Sequence, residues 1–243
     1  MTLADFDRWC TSFLEIEALR QIDDSLNGIQ VGCSPSKEIK TLAVAVDACA
    51  ETIRRAADAG ADVLFVHHGM FWGKPVPITG SMRERIRLLL EADMALYACH
   101  LPLDRHPEIG NNARLCDLLG LQERTPFGIY HGIPIGWAGR LPMPLTIDAI
   151  VAKILPDRSE PRLVVAAGPR EIRSVAVISG GAPFESLQAI DQGIDCYVTG
   201  EPSHSIYHAV TEGSINFIAA GHYATEVWGV RAVAEKAKAE LGL

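Results

Sequence analysis

The chain has 243 residues, 48% of them apolar and 21% charged, with a net charge of −8, enough to bury one large core or two modest ones and too apolar for disorder. No apolar run reaches the roughly 18–20 residues of a membrane helix, and Met1-Thr2-Leu3-Ala4-Asp5 is not the basic-then-apolar opening of a secretion signal. Six cysteines lie far apart without a Cys-x-x-Cys pair and no Lys/Arg cluster is long enough to track a phosphate backbone, so a reduced, cytoplasmic protein that binds neither membrane nor, by charge, nucleic acid is expected.

Leu3, Phe6, Trp9, Cys10, Phe13 and Leu14 form a helical stripe. Residues 41–46 read as a strand, 51–59 as a helix stopped by Gly60, and Val63-Leu64-Phe65-Val66 as a buried strand running into His67-His68-Gly69. A helix over 83–91, a strand over 95–99 and a helix over 112–119 ended by Gly120 follow. Residues 124–145, punctuated by Ile133-Pro134 and Met143-Pro144, interrupt the pattern and read as a connection with at most a short edge strand. Alternation resumes: helix 147–155, strands 162–166 and 174–179, helix 184–192, strand 195–199, helix 203–212, strand 215–219 and helix 227–241. The class is α/β, with halves at about 1–125 and 126–243.

Those halves resemble each other. The stretch from Ala59-Gly60-Ala61-Asp62 to His67-His68 lines up with Gln192-Gly193-Ile194-Asp195 to Gly200-Glu201, and His100-x3-Asp104 lines up with His222-x3-Glu226. A duplicated unit would set two equivalent loops, each with a histidine and a carboxylate, facing one another across a pseudo-twofold.

His67, His68, His100, Asp104, His222 and Glu226 all fall at strand ends, where parallel α/β sheets present ligand sites. Adjacent histidines on an extended chain point to opposite faces, so a pair of ions could take one each. Mixed imidazole and carboxylate ligands suit Zn, Fe, Mn, Co or Ni rather than Ca or Mg. Two such ions about 3.5–4 Å apart would lower the pKa of a shared water toward about 7. Blander readings stand beside this one. A lone strand-end histidine is usually a hydrogen-bonded structural residue, Asp104 could merely cap a loop, and Glu226 could complement a helix dipole. His106-Pro107 reads as loop surface and His131 as part of the connection. His204 and His208 share an i,i+4 spacing that can grip a metal and more often marks a solvated face. Asn27-Gly28-Ile29-Gln30 reads as a tight turn whose amides could reach the site, and Asp47 could support a histidine from behind.

Asn27-Gly28-Ile29-Gln30-Val31, His67-His68-Gly69-Met70-Phe71-Trp72, His100-Leu101-Pro102-Leu103-Asp104, Gly110-Asn111-Asn112 and Gly221-His222-Tyr223-Ala224-Thr225-Glu226 together resemble the Nif-three-like dinuclear-metal-centre family. Its members are often labelled GTP cyclohydrolase I type 2 homologues, and the resemblance runs through nearly the whole chain, of the short bacterial type. It implies two intertwined α/β halves with mixed sheets flanked by helices, a metal site between the halves, and a ring-shaped homohexamer whose metal pairs face an internal cavity. The family's ligands fall on His67, His68, Asp104, His222 and Glu226, holding two divalent ions per chain. His100 matches a histidine beside the metals, His208 a position where relatives also have histidine, and Gly200-Glu201 a Gly-Glu lining the pocket. His204 departs from the acidic residue usual there.

The expected function is a metal-dependent hydrolase, GTP cyclohydrolase-like or acting on another nucleotide-like molecule. A bridging water would attack, with His100 or His208 as general acid or base. Opening a guanine ring needs water attack at C8 and proton delivery to nitrogen. The alternatives are a non-catalytic metal-binding scaffold, metal chaperone or regulatory protein, and nucleic-acid processing inside the ring, which would need a basic inner wall.

Overall fold

A computed structural model describes residues 1–243. By internal packing the chain forms two compact units, residues 1–103 with 229–243 and residues 104–228.

The first unit opens with α1 (Leu3–Phe13), whose start is fixed by a capping box: the Thr2 hydroxyl accepts from Asp5 N, and the Asp5 carboxylate accepts from Thr2 N. There follow β1 (Gly28–Val31), β2 (Leu42–Asp47), α2 (Ala50–Asp58), β3 (Val63–His68), α3 (Gly80–Glu91) and β4 (Ala95–Ala98). The sheet order is β1-β4-β3-β2, with β2, β3 and β4 parallel and β1 antiparallel to β4. As an inner strand β3 is buried from Val63 to His67, which explains its unbroken apolar run. Phe65 and Tyr97 stack on one face of the sheet, with Phe6 of α1 edge-on to Tyr97. Leu64, Val66, Leu89, Leu96 and Ala98 fill the other core.

The short α4 (Leu101–Arg105) leads into the second unit. It holds α5 (Asn111–Leu119), β5 (Gln122–Tyr130), β6 (Ile133–Leu145), α6 (Ile147–Ile154), β7 (Leu163–Ala166), β8 (Ile172–Val177), α7 (Ser186–Asp191), β9 (Cys196–Thr199), α8 (Tyr207–Glu212), β10 (Asn216–Ala219) and the start of α9 (His222–Leu241). Its sheet runs β5-β6-β8-β9-β10-β7, with β8, β9 and β10 parallel and β7 antiparallel to β10. That quartet has the topology of β2-β3-β4-β1. The second unit is the same sheet with a hairpin added beside β8.

The repeated Gly-x-Asp has a structural cause. Gly60 and Gly193 follow α2 and α7 with φ of 71° and 66°, the left-handed geometry that ends a helix. Two residues on, each aspartate holds the start of the neighbouring strand. Asp62 accepts from Lys40 N and Thr41 N at 2.9 and 3.0 Å, and Asp195 from Arg173 N and Ser174 N at 2.8 and 3.0 Å. Their carbonyls likewise accept from Ala95 N and Asn216 N. Both parallel trios are therefore registered by the same device.

Several elements differ from expectation. Residues 124–145 are not a loose connection but most of a long hairpin, β5 with β6, closed by His131-Gly132 with φ of 47° and 83°, as a tight two-residue turn requires. Its prolines sit where a missing N–H is harmless. Pro126 is on the edge strand, Pro134 precedes the pairing with β8, and Pro142 and Pro144 lie where that pairing shifts register between Arg140 and Leu145. Gly28–Val31 is strand β1, not only a turn. The last helix begins at His222, five residues before the expected start, and His204 sits in a 3-10 turn ahead of α8. All six cysteines are free, but Cys33 and Cys49 are only half-buried. No helix is long and apolar enough to cross a membrane.

Candidate metal centre

In the first unit three imidazoles converge where β3 and β4 end. Although His67 and His68 alternate along the strand, β3 stops at His68, and the two rings lie 4.6 Å apart, centroid to centroid. The His100 ring is 5.1 Å from His67 and 5.7 Å from His68, and the ligand atoms of the three all lie within 4.8 Å of one another. Each Nδ1 faces a group that can only accept: the Cys99 carbonyl at 3.0 Å from His67, the Asp47 carboxylate at 2.9 Å from His68, and the Asp23 carboxylate at 2.8 Å from His100. Nδ1 therefore carries the proton, and Nε2 is left with the lone pair that a cation takes. Asp47 reaches His68 because β2 and β3 pair with Asp47 opposite His68.

The segment ahead of β1 holds this cluster in place. Asn27 Oδ1 accepts from His100 N at 2.8 Å, and its Nδ2 donates to Asp23. Gln30 Oε1 accepts from Met70 N and Phe71 N, while its Nε2 donates to the Leu26 and Phe71 carbonyls. Gly69 is required beneath that amide, since a Cβ there would sit 2.4 Å from Gln30 Nε2. Asp23 is buried and ionised. Burial raises its pKa, but hydrogen bonds from His100, Asn27 and Ser25 N outweigh that and hold it below the usual carboxylate value.

In the second unit Asp104, buried on α4, accepts at Oδ1 from Asn111 Nδ2 and Ser179 Oγ, both at 2.8 Å. Asn112 bridges Ser179 N and the Ile135 carbonyl. The next residue, Gly180, has φ of +65°, and a Cβ on it would lie 2.3 Å from Glu226 Oε1 and 3.2 Å from His222 Nε2. His222 and Glu226 occupy the first turns of α9 at i,i+4 spacing, Nε2 to Oε1 3.1 Å, while His222 Nδ1 donates to Glu201 at 2.8 Å. Glu226 above all, and Glu201 behind it, push the His222 pKa up to about 9 against the opposing effect of burial. Two carboxylates within 3.1 Å of one imidazole give surroundings of the right sign for a cation.

The sequence matches Duf34/NIF3 (NGG1p interacting factor 3) over residues 1–242. The chain belongs to the DUF34/NIF3 family. A relative from Deinococcus radiodurans, called GTP cyclohydrolase 1 type 2 homolog, is 43% identical over 97% of this chain and 88% of its own length. One of the same name from Archaeoglobus fulgidus is 39% identical over 100% of this chain and 96% of its own. The crystal structure of TTHA1606 from Thermus thermophilus superposes with a TM-score of 0.87 at 35% identity, covering 100% of this chain and 96% of that one.

For a DUF34/NIF3 chain the donor chemistry fits divalent metal. Imidazole Nε2 atoms are held from behind by carboxylates or a carbonyl, and carboxylates are oriented by amide and hydroxyl donors. Not every candidate is at the centre. His204 and His208 are exposed and hydrogen-bond through no side-chain atom, His208 lying against Tyr207. His131 is the hairpin turn. His106, read as loop surface, is buried with Nδ1 accepting from Glu108 N and Ile109 N, because the chain bends back over it. Asp23 carries no signal in the sequence, and Ser179-Gly180 carries a single one. Ser179-Gly180-Gly181 after a strand is the one cue that a close backbone approach was required.

Proposed function

We propose that the protein is a dinuclear-metal-dependent hydrolase, GTP cyclohydrolase-like, in which His67, His68, Asp104, His222 and Glu226 hold two divalent ions (Zn, Fe, Mn, Co or Ni). The observation that carries this reading is that the Nδ1 atoms of the three proposed histidine ligands, His67, His68 and His222, are all tied to acceptors. Histidines that bind metal through Nε2 almost always donate their Nδ1–H in this way. Bound metal would supply a water with a pKa lowered toward about 7. The name shared by the relatives makes GTP the first substrate to assay. Of the two proton-carrier candidates, His100 is favoured over His208, since its ring is fixed among the other imidazoles while His208 is solvated. A cytoplasmic homohexamer is part of the same proposal, and sedimentation velocity reads its mass directly.

Elemental analysis of the purified chain should find about two ions per chain, and His68→Ala or Glu226→Gln should lower that number. GTP ring opening should follow metal content. One ion or none, unaltered by His68→Ala, rejects the metal reading. Two ions without turnover on nucleotides, peptides or phosphoesters would leave a metal-binding scaffold or regulatory protein.

A further inference from the structure

We propose that Trp72 determines which substrates the site takes: its indole is a fixed platform on which a planar heteroaromatic base, a purine, stacks beside the imidazoles. The proposal rests on the hydrolytic reading above and names how the nucleotide-like substrate is recognised. Trp72 is 36% exposed, and the other three tryptophans are less so. Its indole lies 5.0 Å from the His100 ring at 76° and 6.1 Å from the His68 ring at 41°. Nε1, the one polar atom of the side chain, donates to the Gly69 carbonyl at 3.0 Å. What the indole shows to solvent is therefore aromatic surface, which a flat π-system covers better than water does.

The chain leading into the indole is immobilised. Gln30 Oε1 accepts from Met70 N at 2.6 Å and Phe71 N at 3.3 Å, and the Phe71 carbonyl accepts from Leu26 N at 3.0 Å and Gln30 Nε2 at 3.3 Å. Met70 is buried and Phe71 packs on the same core, so the two residues before Trp72 are held inward. On its other side Gly73, with φ of 71°, passes so close to Asp24 that a Cβ would lie 3.3 Å from that carbonyl. With backbone and Nε1 both tied, little ordering remains to be done when a ligand arrives. Leu26, 55% exposed and bonded to the Phe71 carbonyl, adds apolar surface on the neighbouring segment. Apolar walls around a few convergent polar groups make a small-molecule site. A side chain that only kept water from the imidazoles would be covered, and this indole is not. An indole carries no charge, and every nucleobase has a π-face. Trp72 thus selects substrates that carry a base over those that do not, and reads neither their phosphates nor which purine they hold.

Calorimetric titration of the Zn-loaded full chain with GMP and ribose 5-phosphate, a pair that differs only by the base, tests this. Wild type should bind GMP about 10-fold or more tightly than ribose 5-phosphate, and GMP should quench its tryptophan emission. Trp72→Leu should erase that margin and the quench, with metal content and ribose 5-phosphate affinity unchanged, and Trp72→Phe should recover part of the margin. No margin in wild type, or a full margin in Trp72→Leu, overturns the proposal. So does an equal loss of both ligands in Trp72→Leu, which would mark a general disturbance of the site. If Trp72→Leu fails to fold, the wild-type emission still decides, because GMP binding without a quench overturns the platform. Emission that follows protein concentration instead of GMP would place Trp72 in a contact between copies and overturn it as well. Base binding that depends on Trp72 without turnover of GTP would reject the hydrolase reading and leave the platform standing. GTP turnover with an unchanged KM in Trp72→Leu would keep that reading and overturn the platform.

Discussion

Gly180 shows how tightly the ligand turn of the second unit is drawn. Its left-handed φ alone would make alanine cost roughly 1–2 kcal/mol, and the added Cβ would press on Glu226 Oε1 at 2.3 Å. Gly180→Ala is expected to lose most bound metal while the chain stays folded. Gly132→Ala, at φ 83° with nothing within 4 Å, should carry similar strain and keep its metal. Equal metal content in the two variants, measured beside their melting temperatures, would show that the close approach at Gly180 is not what shapes the site. The same residue marks where sequence reading stops. His67, His68, His100, Asp104, His222 and Glu226 are legible because polar groups follow apolar strands. Asp23 is not, because its partner His100 is 77 positions away and an Asp-Asp pair in a loop carries no periodicity. Gly180 shows only as a glycine pair after a strand, since its neighbours Glu226 and His222 arrive from a helix some 40 residues on.

At the scale of elements, the paired aspartate clamps govern how the parallel strands register. Asp62 and Asp195 are half-buried acceptors that each serve two backbone N–H groups. A net hydrogen bond is worth about 0.5–1.5 kcal/mol, so Asp62→Ala and Asp195→Ala should each destabilise by about 1–2 kcal/mol near pH 7. Asp62 adds a pH dependence. Burial would raise its pKa, but Lys40 N, Thr41 N and the Lys37 ammonium at 3.2 Å outweigh it and hold the value below normal. A depressed folded pKa means that its contribution is full above the unfolded value of about 3.9 and disappears as pH falls through the folded value. Urea unfolding should therefore show the gap between wild type and Asp62→Ala narrowing from pH 7 toward pH 3; a gap of constant size would remove the ionised clamp from the explanation. The clamps were half-visible as a repeated Gly-x-Asp. The β5–β6 hairpin was hidden because proline counts against strands in general, and only the sheet order shows that each proline falls on an edge or a register shift.

For the whole molecule, bound metal should stabilise the fold. A ligand that binds only the native state at 100-fold over its Kd contributes about 2.7 kcal/mol, so chelation should lower the melting temperature and readdition should restore it; an unchanged melt in a chain shown to lose its ions would place the metal outside the cooperative structure. The division of the chain is the feature least legible in sequence. The α/β alternation and the duplication were readable from period and motif, but α9 begins in the second unit and its residues 229–243 belong to the first. Nothing in a helical pattern says which sheet it covers. Within the first unit Trp9 Nε1 donates to Glu240 at 2.9 Å, and Lys236 lies 5.2 Å over the Phe13 ring. Residues Val230, Val233 and Ala237 are buried. Deleting 229–243 removes those apolar side chains, each worth about 1–3 kcal/mol of burial, along with the cover over the α1 aromatics. The expected result by hydrogen exchange is lost protection in β1–β4 with protection retained in β8–β10, because the second unit's cores of Val175, Val177, Val198 and Ile218 and of Ala176, Tyr197 and Phe217 contain nothing beyond Trp228. Uniform loss across both sheets would mean that the units unfold as one. Unchanged protection in β1–β4 would mean that the end of α9 adds nothing to the sheet that carries His67 and His68.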